Sequence, residues 1–131
     1  VVPGAKERRE QASHNGLAGQ LEALLPIGPE NWDDWLIYIA FWPGALHDPV
    51  LKAEQRQGNR QLTAFVEKGM AKGNYLPAGT SDLERGQIAG RIVATIYGIA
   101  LQAIFDPDDW PPERQRDVLH RSLACWLPAL A

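Results

Sequence analysis

The sequence predicts an all-α fold, and three observations carry that prediction. Apolar residues recur at three- and four-residue spacing in nearly every segment, and the alternation of a half-buried strand appears nowhere. Helix start and stop signals punctuate the chain at Asp48-Pro49, Lys72-Gly73-Asn74, Ser81 to Glu84 and Pro111-Pro112-Glu113. The length of 131 residues, with 45% hydrophobic and 22% charged content, suits one globular domain spanning residues 1–131. A chain of that size buries roughly two-thirds of its unfolded surface around a single core.

Lys6 to Ser13 has helical composition, with His14-Asn15-Gly16 as a break. From Leu17 to Leu25 leucines fall at helical spacing until Pro26 stops them. Asn31 is expected to cap the next helix, with Asp33 and Asp34 in its first turn, where carboxylates suit the dipole. That helix should be interrupted at Pro43-Gly44 and should end at His47-Asp48-Pro49. Asp48 and Pro49 then cap and open a third helix, which runs to a stop at Gly73. Its inward stripe is Leu51, Leu62, Phe65, Val66 and Met70, with Lys52, Glu54, Arg56 and Arg60 in solvent.

Asn74 to Thr80 reads as a loop. Ser81 and Glu84 form a capping box for a fourth helix reaching about Phe105. Apolar residues from Ile88 to Ile104 cover more than half its circumference, so burial on several sides is expected. Its remaining stripe, Gln87, Arg91, Ala94, Thr95, Gly98 and Gln102, is small and polar enough to admit another helix. After a turn at Asp106 to Trp110, a last helix carries Leu119, Leu123, Trp126 and Leu130 on one face, flanked by Val118, Ser122 and Cys125. A stripe that wide on a terminal helix needs two partners, or one in a second subunit.

A net charge of −3 gives no electrostatic footprint for nucleic acid. The cluster Lys6-Glu7-Arg8-Arg9 is short and partly neutralised, and reads as a solvated helix start. The single cysteine, Cys125, excludes an internal disulfide and a multi-cysteine metal site, and fits a reducing, cytoplasmic compartment. No run approaches the ~18 apolar residues of a membrane span, and no signal peptide opens the chain, so no membrane partner is expected. The chain begins at Val1 rather than methionine, which points to a first part outside this sequence.

Residues 35–50, WLIYIAFWPGALHDPV, are the most informative stretch. Trp35, Tyr38, Phe41 and Trp42 crowd one helix, and Pro43 leaves the Ile39 carbonyl without its usual donor. An apolar wall with a free acceptor suits a small-molecule pocket. It suits a kinked core helix equally well.

Ala40-Phe41-Trp42, Ala45-Leu46-His47-Asp48-Pro49-Val50-Leu51, Arg60-Gln61-Leu62, Tyr97 to Gln102, and Trp110-Pro111-Pro112-Glu113-Arg114 together carry a resemblance. Over roughly Leu17 to Leu130 the chain resembles the C-terminal regulatory domain of TetR-family transcriptional repressors, closest to the branch of choline-sensing betaine-pathway regulators. It departs from the family at Pro43-Gly44, at Tyr97 where an acid is common, and in lacking the N-terminal helix-turn-helix. The resemblance implies a helical bundle whose last two helices form a four-helix interface in a homodimer. Arg91, Thr95, Gly98, Gln102, Leu119, Ser122, Leu123 and Trp126 would line that interface. It also implies an inducer pocket in the earlier helices, with operator DNA read only through the absent domain.

With that resemblance, Tyr38, Phe41, Trp42, Phe65 and Tyr97 become the candidate ligand-binding set, whose faces suit an organic cation or a flat apolar effector. Ordinary core packing accounts for the same residues. His47 reads as a C-terminal cap of the aromatic helix. Asp117, His120 and Ser122 scatter over different helical faces, so no catalytic triad is expected. His14, His47 and His120 lack ligand spacing, and neither metal nor cofactor is expected. The other reading is a free-standing helical adaptor that binds a peptide in an aromatic groove.

Overall fold

The computed structural model describes residues 16–130, and the expected helix at Lys6 to Ser13 lies outside them. Five α-helices follow in order: α1 (Gly16–Glu22), α2 (Pro29–His47), α3 (Pro49–Lys72), α4 (Asp82–Phe105) and α5 (Pro112–Trp126), then a 3₁₀ turn at Pro128–Leu130. Among the described residues there is no strand. α4 packs against α2, α3 and α5, and α1 closes the bundle across α3 and α5.

Most boundaries follow local chemistry. Asp48 accepts from the Val50 and Leu51 N–H groups at 2.8 and 3.3 Å, which caps α3. Ser81 Oγ accepts from the Glu84 N–H at 3.1 Å and caps α4.

Two boundaries differ from expectation. α1 ends at Glu22 rather than Leu25: the Leu24 and Leu25 N–H groups bond three residues back, to Leu21 and Glu22, and Pro26 disfavours the helical region for Leu25. Asn31 is not the cap of α2. Gly28 takes that place at φ 87°, a conformation costly for other residues, and Pro29 occupies the first turn. Asn31 instead lies buried, its Nδ2 donating to the carbonyls of Ala23 at 2.8 Å and Leu25 at 2.9 Å. Trp35 Nε1 donates to Leu24 O at 2.8 Å. Side chains of α2 therefore satisfy the carbonyls that α1 leaves open at its end.

α2 runs unbroken through Pro43, so the expected interruption does not occur. Pro43 is exposed, and its ring can sit on the solvent side of the helix.

The core gathers Leu17 and Leu21 of α1, Trp35 of α2, Val66 and Met70 of α3, Ile92 and Ile96 of α4, and Leu119 and Leu123 of α5. Gly69 allows α1 to dock closely, since a Cβ there would lie 2.7 Å from Leu17 Cδ1. By length and composition α4 is apolar enough to cross a membrane, with mean hydropathy 1.6, a property that inspection for an unbroken apolar run overlooks. Seven of its residues are buried in the bundle, the position of a core helix.

Candidate functional site

Where α2, α3 and α4 converge, polar and aromatic side chains share one place. Tyr38 of α2 lies one turn beyond Trp35 and one before Trp42, so the three rings stack along one helix face. Tyr97 of α4 meets all three. Ring centroids of Tyr38 and Tyr97 stand 6.2 Å apart and nearly parallel. Trp35 and Trp42 meet Tyr97 edge-on at 5.7 and 6.2 Å. The faces are thus occupied by one another, and the aromatic cluster is packed rather than open.

A hydrogen-bond network runs through this cluster. The Tyr38 and Tyr97 hydroxyls are 3.1 Å apart. Tyr97 donates to Asn59 Oδ1 at 2.8 Å, and Gln55 Nε2 donates to Asn59 Oδ1 at 3.2 Å and to the Tyr38 hydroxyl. Burial, with a lesser contribution from the Tyr38 hydroxyl, pushes the Tyr97 phenol well above the usual tyrosine range. Tyr97 is therefore a neutral donor.

Two groups in the network are unmet. Trp42 Nε1 and Gln55 Oε1 are buried without a hydrogen-bond partner. An unmet buried group costs about 1–3 kcal/mol. Both residues line a cleft of about 400 Å³ between the end of α2 and the start of α3, shared with Ala45, Leu46, Lys52, Arg56 and Asn59.

Of the sequence-predicted ligand set, the structure brings together Tyr38, Trp42 and Tyr97. Phe65 packs against the core cluster farther along α3. Phe41 is half-buried and joins no ring contact among the described residues. Gln55 and Asn59 are the participants that sequence reasoning missed. They fall in the gap of the inward stripe between Leu51 and Leu62, at helical spacing to both. Polar residues continuing an apolar stripe were the available signal.

The residues expected at a dimer interface divide. Leu119 and Leu123 are 0% and 1% exposed within the chain, because α5 turns its leucines onto α1 and α4; they form core, not an outer surface. Arg91 and Gln102 are exposed, and Thr95, Gly98, Ser122 and Trp126 are half-buried. Around them α4 exposes Leu83 and Phe105 at 72% and 75%.

Polar candidates elsewhere take structural partners. Glu22 of α1 accepts from Arg116 and pairs with His120 of α5, each at 2.8 Å. Asp117 pairs with Arg121 at 2.9 Å, so Asp117 and His120, three residues apart on α5, engage different partners. His47 lies exposed in the last turn of α2, whose carbonyl at Gly44 is met by the Asp48 N–H at 3.0 Å.

Comparison with known proteins gives a consistent picture. The family described as BetI-type transcriptional repressor, C-terminal, matches residues 14–128. The crystal structure of a transcriptional regulator from Rhodococcus sp. Rha1 is similar with a TM-score of 0.79 and 21% identity, over 98% of this chain and 67% of that chain. At that identity the likeness is one of fold. A search of curated proteins returned no match.

Proposed function

This chain belongs to the BetI-type transcriptional repressors of the TetR family, as their C-terminal regulatory domain, and we propose that it binds a small-molecule effector and pairs two regulator subunits. The observation that carries the reading is the cleft beside the Tyr38–Tyr97–Asn59–Gln55 network, whose lining includes two unmet buried groups. Sites of this kind combine apolar walls with a few convergent polar groups.

In this reading the effector enters between α2 and α3 and gives Trp42 or Gln55 a partner. Rearranging Gln55 loosens its bonds to Tyr38 and Asn59, which tie α2 and α3 to Tyr97 of α4. The outer face of α4 would meet its copy across a twofold axis, so a shift at the cleft changes how two subunits are held. A helix-turn-helix module ahead of this domain would then read operator DNA at a different spacing, in the cytoplasm. An effector can drive the change only by its differential affinity for the two arrangements.

The test is a native mass spectrum of the chain. The expected result is a dimer, with additional mass when effector is retained. A monomer throughout the micromolar range would refute the pairing and put the adaptor reading in its place.

A further inference from the structure

We infer that the cleft between α2 and α3 selects an organic anion, a carboxylate on an apolar body, rather than an organic cation. The inference rests on the proposed effector site and specifies its charge preference. Two charged side chains line the cleft, Lys52 and Arg56, and both are cationic. No Asp or Glu lines it among the described residues, and neither Lys52 nor Arg56 forms an ion pair there. Asp48, at the entrance to α3 and four residues before Lys52, lies outside the lining, its Oδ1 accepting from the Val50 and Leu51 N–H groups.

The placement of these cations is unfavourable without an anion. Lys52 and Arg56 stand four residues apart on α3, where like charges repel. Lys52 also lies in the first turn after Pro49, at the helix end whose dipole favours negative charge. A carboxylate placed between them would relieve both conflicts and accept charge-assisted hydrogen bonds.

The remaining lining agrees. Trp42, Ala45 and Leu46 offer an apolar wall for the body of the ligand. The unmet Trp42 Nε1–H is a donor, so it too seeks an acceptor. Gln55 Oε1, an unmet acceptor, by itself favours a donor or a cation, and one neutral dipole stands there against two full positive charges and the indole N–H. For a cation the site offers little. The faces of Tyr38, Trp42 and Tyr97 are engaged with each other, and the Tyr97 phenol stays neutral.

The experiment compares three probes with one apolar body, octanoate, octanol and octyltrimethylammonium, below their micelle-forming concentrations. Binding to the whole 131-residue chain is followed by the indole N–H resonance of Trp42, assigned by its loss in Trp42→Phe. Octanoate should bind on the order of ten-fold more tightly than octanol, the size expected of charge-assisted hydrogen bonds. Octyltrimethylammonium should bind more weakly than octanol. The double variant Lys52→Gln/Arg56→Gln should erase the octanoate advantage, leave octanol binding within a factor of about two, and keep the helical circular dichroism. If octyltrimethylammonium moves the Trp42 resonance at the lowest concentration, or the double variant keeps the octanoate advantage, the charge assignment is overturned and the effector site stands. If none of the three moves it, both fall.

Discussion

Tyr97 is the residue on which the site's chemistry turns, because one hydroxyl touches both Tyr38 and Asn59. Its raised pKa has a consequence for stability. Below about pH 10 the phenol is protonated in the folded and the unfolded chain alike. Above that value the unfolded chain releases the proton while the folded chain retains it, so the unfolded state is favoured and stability falls as pH rises. Tyr97→Phe should flatten this alkaline loss, measured as urea midpoints between neutral pH and about pH 11. At neutral pH the same change should cost about 1 kcal/mol, the net value of one hydrogen bond, since Asn59 Oδ1 keeps Gln55 as a donor. An equal alkaline loss in both proteins would show that Tyr97 titrates normally. Asn31 supports a second residue-scale prediction. Asn31→Ala leaves the Ala23 carbonyl without its donor, while the Leu25 carbonyl keeps the Ile27 N–H, and should destabilise by about 2 kcal/mol. Ser81→Ala, which removes one exposed cap, should cost only about 1 kcal/mol. Urea unfolding of the two variants side by side decides the order.

At the scale of elements, α2 poses the sharpest question, since it keeps a proline inside a continuous helix. Pro43 cannot donate to the Ile39 carbonyl, and an interior proline costs about 3 kcal/mol relative to alanine. Pro43→Ala should therefore raise stability, by up to about that amount, provided the exposed ring makes no compensating contact. A fall in the unfolding midpoint would mean that the ring's packing outweighs the missing bond. If α2 carries the effector's signal, the stiffer helix should also blunt the response while leaving dimer affinity unchanged. The same helix marks how far sequence reading reaches. The boundaries of α3, α4 and α5 were legible because Asp48-Pro49, Gly73, Ser81 and Pro111-Pro112 act locally, within a turn of where they stand. Asn31 misled because its type suits a cap, while its actual partners, the Ala23 and Leu25 carbonyls, belong to the turn that follows α1. Gln55 and Asn59 were overlooked because a polar residue on an inward stripe gains meaning only once Tyr38 and Tyr97 are brought to it by other helices. Leu119 and Leu123 looked like interface for a related reason: an apolar stripe has the same spacing whether its partner is its own chain or a copy.

For the whole molecule, the arrangement separates the α2–α3 cleft from the outer face of α4. The cleft and its network occupy the junction of α2, α3 and α4, while the exposed stripe of α4, from Leu83 through Gln87, Arg91 and Ala94 to Gln102 and Phe105, lies opposite the residues that α4 buries in the core. Along that stripe a Cβ added at Gly90 or Gly98 would meet nothing within 4 Å, so the surface is open to a close neighbour. A twofold axis would bring this patch against itself, and any charge near the axis would face its own copy. Ala94 lies exposed at the middle of the stripe, which makes it the most discriminating position to change. Ala94→Glu should place two carboxylates across the axis and weaken the dimer by at least ten-fold, a modest demand for like charges that must be desolvated. Ala53→Glu, exposed on α3, adds the same charge away from the stripe and should leave the dimer intact. Analytical ultracentrifugation of both variants, with circular dichroism to verify the fold, separates the possibilities. Dissociation in Ala94→Glu alone would locate the interface on α4; dissociation in both would implicate net charge, and in neither would move the interface to another face.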